Sequence, residues 1–180
     1  MVRAAFTTFV LLAVCRAVGA SPTTDTTFVT STFSFAEWVE GIIADPQGNH
    51  LTAKQAIAAF YAGRNNTVFS ENVRRGPLLK RASCNEQPNT EIPVGDAVSC
   101  INYLTAKGQT ACVVNDYSRL CESGQALMDG NSGSPTSSAC NDVARAGGFI
   151  MDHCTRADNT VEGSEYAYGN GNLLVRIHRA

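Results

Sequence analysis

Residues 82–180 are predicted to form a small α+β domain, a disulfide-stapled two-layer sandwich of the ferredoxin-like βαββαβ type or a close variant, preceded by a helical hairpin. Three observations carry the prediction. Six of the seven cysteines (Cys84, Cys100, Cys112, Cys121, Cys140 and Cys154) follow a Lys80-Arg81 pair, and none lies between Ser21 and Arg81. Beyond that pair, segments with apolar residues at steps of three and four are interleaved with segments of period two. The 99 residues involved make a core that contributes only a few kcal/mol net, so covalent staples matter.

In chain order, residues 1–20 read as a secretory signal peptide. Arg3 supplies the basic start, residues 4–14 are mostly apolar, and Val18-Gly19-Ala20 sets small side chains before Ser21. The apolar run is shorter than the ~20 residues that span a bilayer, so an exported product is expected, with no membrane insertion. Residues 21–32 are rich in Thr and Ser. Ser34-Phe35-Ala36-Glu37 and Thr52-Ala53-Lys54-Gln55 each match a capping box, in which the first and fourth side chains satisfy each other's free backbone N–H groups. They predict helices over 35–44 and 53–62, the first with Phe35, Trp38 and Ile42 on one face, the second stopped by Gly63. The turn at residues 45–49 is no calcium loop. Counted from Asp45, the sixth position is His50 rather than Gly and the twelfth is Ala56 rather than Glu. Residues 21–81 thus read as a helical-hairpin propeptide, a folding aid or an inhibitor of the mature domain. Asn65-Asn66-Thr67 is a glycosylation sequon. Lys80-Arg81, after Arg74-Arg75, reads as a dibasic processing site that releases a mature domain at 82–180.

In an oxidising compartment six cysteines imply three disulfides, each worth ~2–4 kcal/mol. Zinc is not expected, because there is no C-x-x-C and His153 and His178 have no paired-ligand spacing. Residues 84–86 are expected to add a short first strand. Asp96 is expected to cap a helix over 97–107, with Ala97, Cys100, Ile101 and Leu104 inward and Gly108 as its stop. Residues 109–114 and 119–128 flank the turn Asn115-Asp116-Tyr117-Ser118, which predicts a β-hairpin. Cys112 and Cys121 are equidistant from the centre of that turn, which predicts a Cys112–Cys121 bridge. A second helix is expected from Ser138, with Asp142 in its first turn. Cys140, Val143, Gly147, Ile150 and Cys154 fall on one face of it, and Gly147-Gly148 fits a helix lying close against a sheet. Leu173, Val175 and Ile177 alternate with Leu174, Arg176 and His178, which predicts a strand with one buried face. His178, beside Arg176 and Arg179, reads as the polar face of an edge strand.

Charge narrows the function classes. Residues 82–180 hold six basic and eleven acidic residues, a net of −5, against +1 for residues 21–81. An acidic domain without clustered Lys and Arg does not bind a phosphate backbone or attack anionic membranes by charge. Asp129-Gly130-Asn131-Ser132-Gly133-Ser134-Pro135 resembles the loop around the nucleophile of trypsin-like serine proteases. The only preceding His is His50, in the segment read as removed, and such proteases are about twice this length, so the motif reads as a flexible loop joining strand to helix. Asp152-His153-Cys154 places neighbours ~100° apart on a helix, and Cys154 reads as a half-cystine rather than a nucleophile. Tyr166, Tyr168 and the run Gly169-Asn170-Gly171-Asn172 read as a loop able to touch a partner. No catalytic residue, cofactor or metal is expected, and a monomer is.

The run SFAEWVEGIIADPQGNHLT, the Lys80-Arg81 pair, DAVSCINYL, ACVV with the following LC, SSACNDVARAGGFIMDHC and YGNGNLLVRI together resemble small cysteine-rich proteins secreted by filamentous fungi. The likeness runs from residue 35 to residue 177. More distantly the cysteine-rich part is similar to the fungal necrosis-inducing effectors and to the virally encoded killer toxins of fungi, which are small α/β sandwiches. The effectors carry fewer cysteines, so no bridge pattern transfers, and these families offer no catalytic residue to place here. The resemblance implies a non-enzymatic secreted effector, associated with virulence, that binds an unidentified protein or cell-surface target of a host or microbe. The other implied role is a killer-toxin-like antimicrobial protein acting on competing cells.

Overall fold

Two capping motifs at the N-terminal end set the first two helices. The computed structural model describes residues 33–66 and 82–180. The signal-peptide reading and the Lys80-Arg81 pair lie outside the described residues. Helix α1 (Phe35–Ala44) matches its expected span, and Ser34 Oγ accepts the Glu37 N–H at 3.1 Å. Helix α2 (Ala53–Asn66) carries the full box: Thr52 N–H donates to Gln55 Oε1 at 2.9 Å, and Gln55 N–H to Thr52 Oγ1 at 3.3 Å. Gly63 does not stop it. The helix runs on through Asn65, the sequon asparagine, to Asn66, and in its last turn Arg64 donates to the Arg156 carbonyl at 2.7 Å.

The cysteine-rich part consists of β1 (Ser83–Cys84), β2 (Ile92–Pro93), α3 (Val94–Ala106), β3 (Ala111–Val114), β4 (Tyr117–Ser123), β5 (Ala126–Asn131), β6 (Thr136–Ala139), α4 (Cys140–Cys154), β7 (Thr160–Val161), β8 (Gly163–Tyr166) and β9 (Leu174–Arg179). A five-stranded antiparallel sheet runs in the order β1-β8-β9-β5-β4, and β2–β7 and β3–β6 form separate ladders. The fold is α+β, with α3 and α4 against one face of the antiparallel sheet. Its strand order differs from βαββαβ: β4–β5 and β8–β9 are hairpins, and β9 joins them by pairing with β5.

Several local expectations are corrected. Helix α3 starts at Val94, three residues early, because Pro93 (φ −59°) leads the chain straight into it. Asp96 is therefore in the first turn, and its carboxylate accepts the Gln125 N–H at 2.9 Å instead of capping. Gly108 (φ +60°) does follow the helix end. Ser138 lies in β6, and α4 begins at Cys140. The residues around Asn115-Asp116 turn a corner between two ladders rather than closing a hairpin: β3 pairs with β6, β4 with β5. The hairpin turn is at Gly124 (φ +59°), a conformation costly for any residue with a Cβ.

That error decides the bridges. Cys112 and Cys121 sit in different ladders, so they do not pair. The disulfides among the described residues are Cys84–Cys154, Cys100–Cys121 and Cys112–Cys140. The two cysteines of α4 thus tie its two ends to different strands, Cys140 to β3 and Cys154 to β1. Nor is β9 an edge strand: it is third of five, with His178 in the sheet interior opposite Leu127.

The core joins α1, α3, α4 and the inner sheet face, with Phe35, Val39, Ile101, Leu104, Met128, Ile150, Val175 and Ile177 fully buried. A Cβ on Gly147 would lie 2.8 Å from Ile101 Cγ1 and 3.0 Å from Met128 Cε. The close approach of α4 to the sheet is therefore real. Residues 33–66 add a third layer beyond α3 and α4.

Candidate recognition surface

The outer face of the sheet, away from α3 and α4, is built by period two. Register aligns Arg119, Asp129, Arg176, Ser164 and Ser83 across all five strands, with Tyr117, Asn131, Leu174 and Tyr166 in the neighbouring row. Charge alternates at the centre of the first row: guanidinium, carboxylate, guanidinium.

Asp129 is fully buried and has four donors. Arg176 donates through Nε and Nη2 at 3.0 Å each, Asn131 Nδ2 at 2.8 Å, and His178 Nε2 lies at 2.8 Å. Burial alone would raise its carboxyl, but the hydrogen bonds from His178 and Arg176 win and hold it below the usual carboxylate range. A buried carboxylate satisfied this way fixes the side chains around it.

The arrangement orients the groups around it. His178 has the Asp129 carboxylate at one ring nitrogen and the Arg179 carbonyl, 2.8 Å away, at the other. Both ring nitrogens are thus engaged within the sheet. Ser132 lies just past the end of β5, three residues beyond Asp129, whose carboxylate holds the His178 ring, or roughly 10 Å at strand spacing. Gly130 of the same motif serves packing, since a Cβ there would meet Val114 Cγ2 at 2.6 Å. Cys154 is in a disulfide, Asp152 is engaged by α1, and the His153 ring stacks on Phe149 with centroids 3.9 Å apart.

Strand β4 is an edge, blunted by a bulge at Leu120. Cys121 ties it to α3 through Cys100. Along it Tyr117, Arg119 and Glu122 form an exposed polar string, with Arg119 Nη1 3.1 Å from Glu122 Oε2. Such an exposed pair contributes ~0–1 kcal/mol to stability and leaves both groups open to a partner. Around the edge, Tyr103 and Ser99 of α3 face Arg119, Cys121 and Ser123 across a groove of about 440 Å³. Tyr103 is half exposed, with the Lys107 ammonium 4.9 Å from its ring centre.

The loop after β8 is tied down. Asn170 Nδ2 lies within 3.0–3.2 Å of Thr136 Oγ1, the Ser137 carbonyl and Ser138 Oγ. Tyr168 projects from this loop, two-thirds exposed, with the Arg145 guanidinium 5.1 Å from its ring centre. Sequence reading singled out Tyr166 and Tyr168 but missed Asp129, Tyr117, Arg119 and Tyr103. The alternation of Leu127, Asp129 and Asn131 was the available signal, and the protease-like motif starting at Asp129 obscured it.

Residues 79–179 match the family model DUF8794, described as a domain of unknown function. No curated protein and no solved structure matches the chain.

Proposed function

The chain belongs to the DUF8794 family, and on that premise we propose that it is a secreted, non-enzymatic, cysteine-rich effector that binds a host or microbial target through the β4 edge and the adjoining sheet face. Three disulfides, and no helix among the described residues long and apolar enough to cross a membrane, fit an extracellular protein. The resemblance to fungal secreted proteins supports the effector reading. The observation that carries it is the combination at β4 of exposed Tyr117, Arg119 and Glu122 on a strand pinned by a disulfide and paired along its length with β5, which carries the buried Asp129. Aromatic and arginine side chains held on a rigid frame are the groups that carry most binding energy in protein interfaces.

The test applies the purified protein to host tissue and separately to fungal and bacterial cultures, alongside a Tyr117→Ala/Arg119→Glu variant. A host response that needs roughly tenfold more of the variant is expected. The variant should show unchanged disulfide mass and thermal midpoint. Growth arrest of the cultures without a host response would replace this reading with the killer-toxin one.

A further inference from the structure

Helix α4 is buried on two sides. Gly147 and Ile150 meet α3 and the sheet. Ala144, Gly148 and Met151, at steps of four and three, are also buried. On that second side a Cβ on Gly148 would lie 3.0 Å from Ala36 Cα and 3.1 Å from the Phe35 carbonyl. A glycine in mid-helix costs helix propensity, and here its only return is the close approach of α1.

Polar contacts fix the same surface. The Asp152 carboxylate accepts from Ser34 Oγ at 2.6 Å, Phe35 N–H at 2.7 Å and Ala36 N–H at 3.0 Å, which caps α1 from another element. Arg145 donates to both carboxylate oxygens of Glu40, at 2.7 and 3.0 Å, while held by Asp142 at 2.6 Å. Phe35 and Val39 are fully buried beside these contacts. A two-helix segment of this length does not hold its fold alone. Leaving the domain would cost its structure and uncover apolar surface on both sides. None of the three disulfides reaches it, since all join residues between 84 and 154.

We propose that residues 33–66 stay bound to the cysteine-rich domain as a second, non-covalently held chain once the connection is cut at Lys80-Arg81, so that the α4 face is permanently occupied. The proposal rests on the processing reading of that pair. The partner is thus a segment of this same chain, recognised by a carboxylate cap, a bidentate ion pair and a glycine-sized gap.

Full-length chain is secreted and recovered from the medium, and its non-reducing denaturing mass is compared with its native mass. Two polypeptides with a junction after Arg81 under denaturing conditions, and a single 1:1 species under native conditions, are expected. A native species holding only residues 82–180 would overturn the proposal. A single uncut polypeptide would instead defeat the processing reading. That chain is then nicked in vitro with a dibasic-specific protease, and the same native mass decides retention. In the nicked protein Asp152→Ala should raise the dissociation constant roughly tenfold or more. Arg145→Glu should also weaken retention, and Glu40→Arg combined with it should restore it. Failure of the swapped pair to rescue, with all three disulfides formed, would count against the interface.

Discussion

Asp129 and Glu162 are both nearly inaccessible carboxylates, yet their surroundings push them in opposite directions. Asp129 is held low because its hydrogen bonds from His178 and Arg176 outweigh burial. Its contribution to stability is complete above the ordinary carboxylate value and is lost as pH falls through the lower, folded value. Asp129→Asn leaves Arg176 without its counter-charge and should cost about 2–3 kcal/mol in urea unfolding at pH 7, less than a fully buried pair because Arg176 is partly exposed. Glu162 is held high, because burial outweighs hydrogen bonds such as the one from Glu86 N–H at 2.9 Å. Its contribution is present below the ordinary value and lost as pH rises through the raised one. Relative to wild type, Glu162→Gln should therefore gain stability between pH 3.5 and pH 7. A constant difference across that range would refute the assignment.

Cross-links and turns act one level up. The Cys84–Cys154 bridge closes a span of 70 residues and Cys100–Cys121 one of 21. Chain entropy alone then assigns about 4.4 and about 3.3 kcal/mol to them. Paired Cys→Ala replacement of the first should be the more damaging by about 1 kcal/mol, read from denaturation midpoints. At the β4–β5 turn, a Cβ on Gly124 would meet the Asp96 carboxyl at 2.5 Å, in a left-handed backbone. Gly124→Ala should cost about 1–2 kcal/mol. This turn marks the boundary of what the chain discloses locally. Helices α1 and α4 and strand β9 were legible because each carries its own period and, for α1, its own cap. The β4–β5 hairpin was not, since a lone Gly124 between polar residues is a weaker turn signal than Asn115-Asp116. The strand partner of Cys112 depended on β6, a Thr/Ser segment with no apolar alternation. Long-range pairing chose between the turns, and both mistaken cysteine partners followed. The Asp129 cluster was equally hidden, because its members come from β5 and β9, 47 and 49 residues apart.

Over the whole molecule the hairpin and the cysteine-rich domain are separated in sequence and share one core. A chain beginning at Ala82 would lack the cover on Ala144, Gly148 and Met151. Its thermal midpoint should drop by several degrees and rise again when a peptide of residues 33–66 is added, by mass action. An unchanged midpoint would mean that the third layer adds nothing. The carboxylate that completes the first turn of α1 has a further consequence, for timing on the ribosome. Asp152 is 118 residues downstream of Ser34. At ~5–20 residues per second that is roughly 6–24 s of synthesis. Of the described helices, the first to be synthesised is thus among the last to be finished, and it waits with only its own Ser34 cap for a carboxylate far downstream.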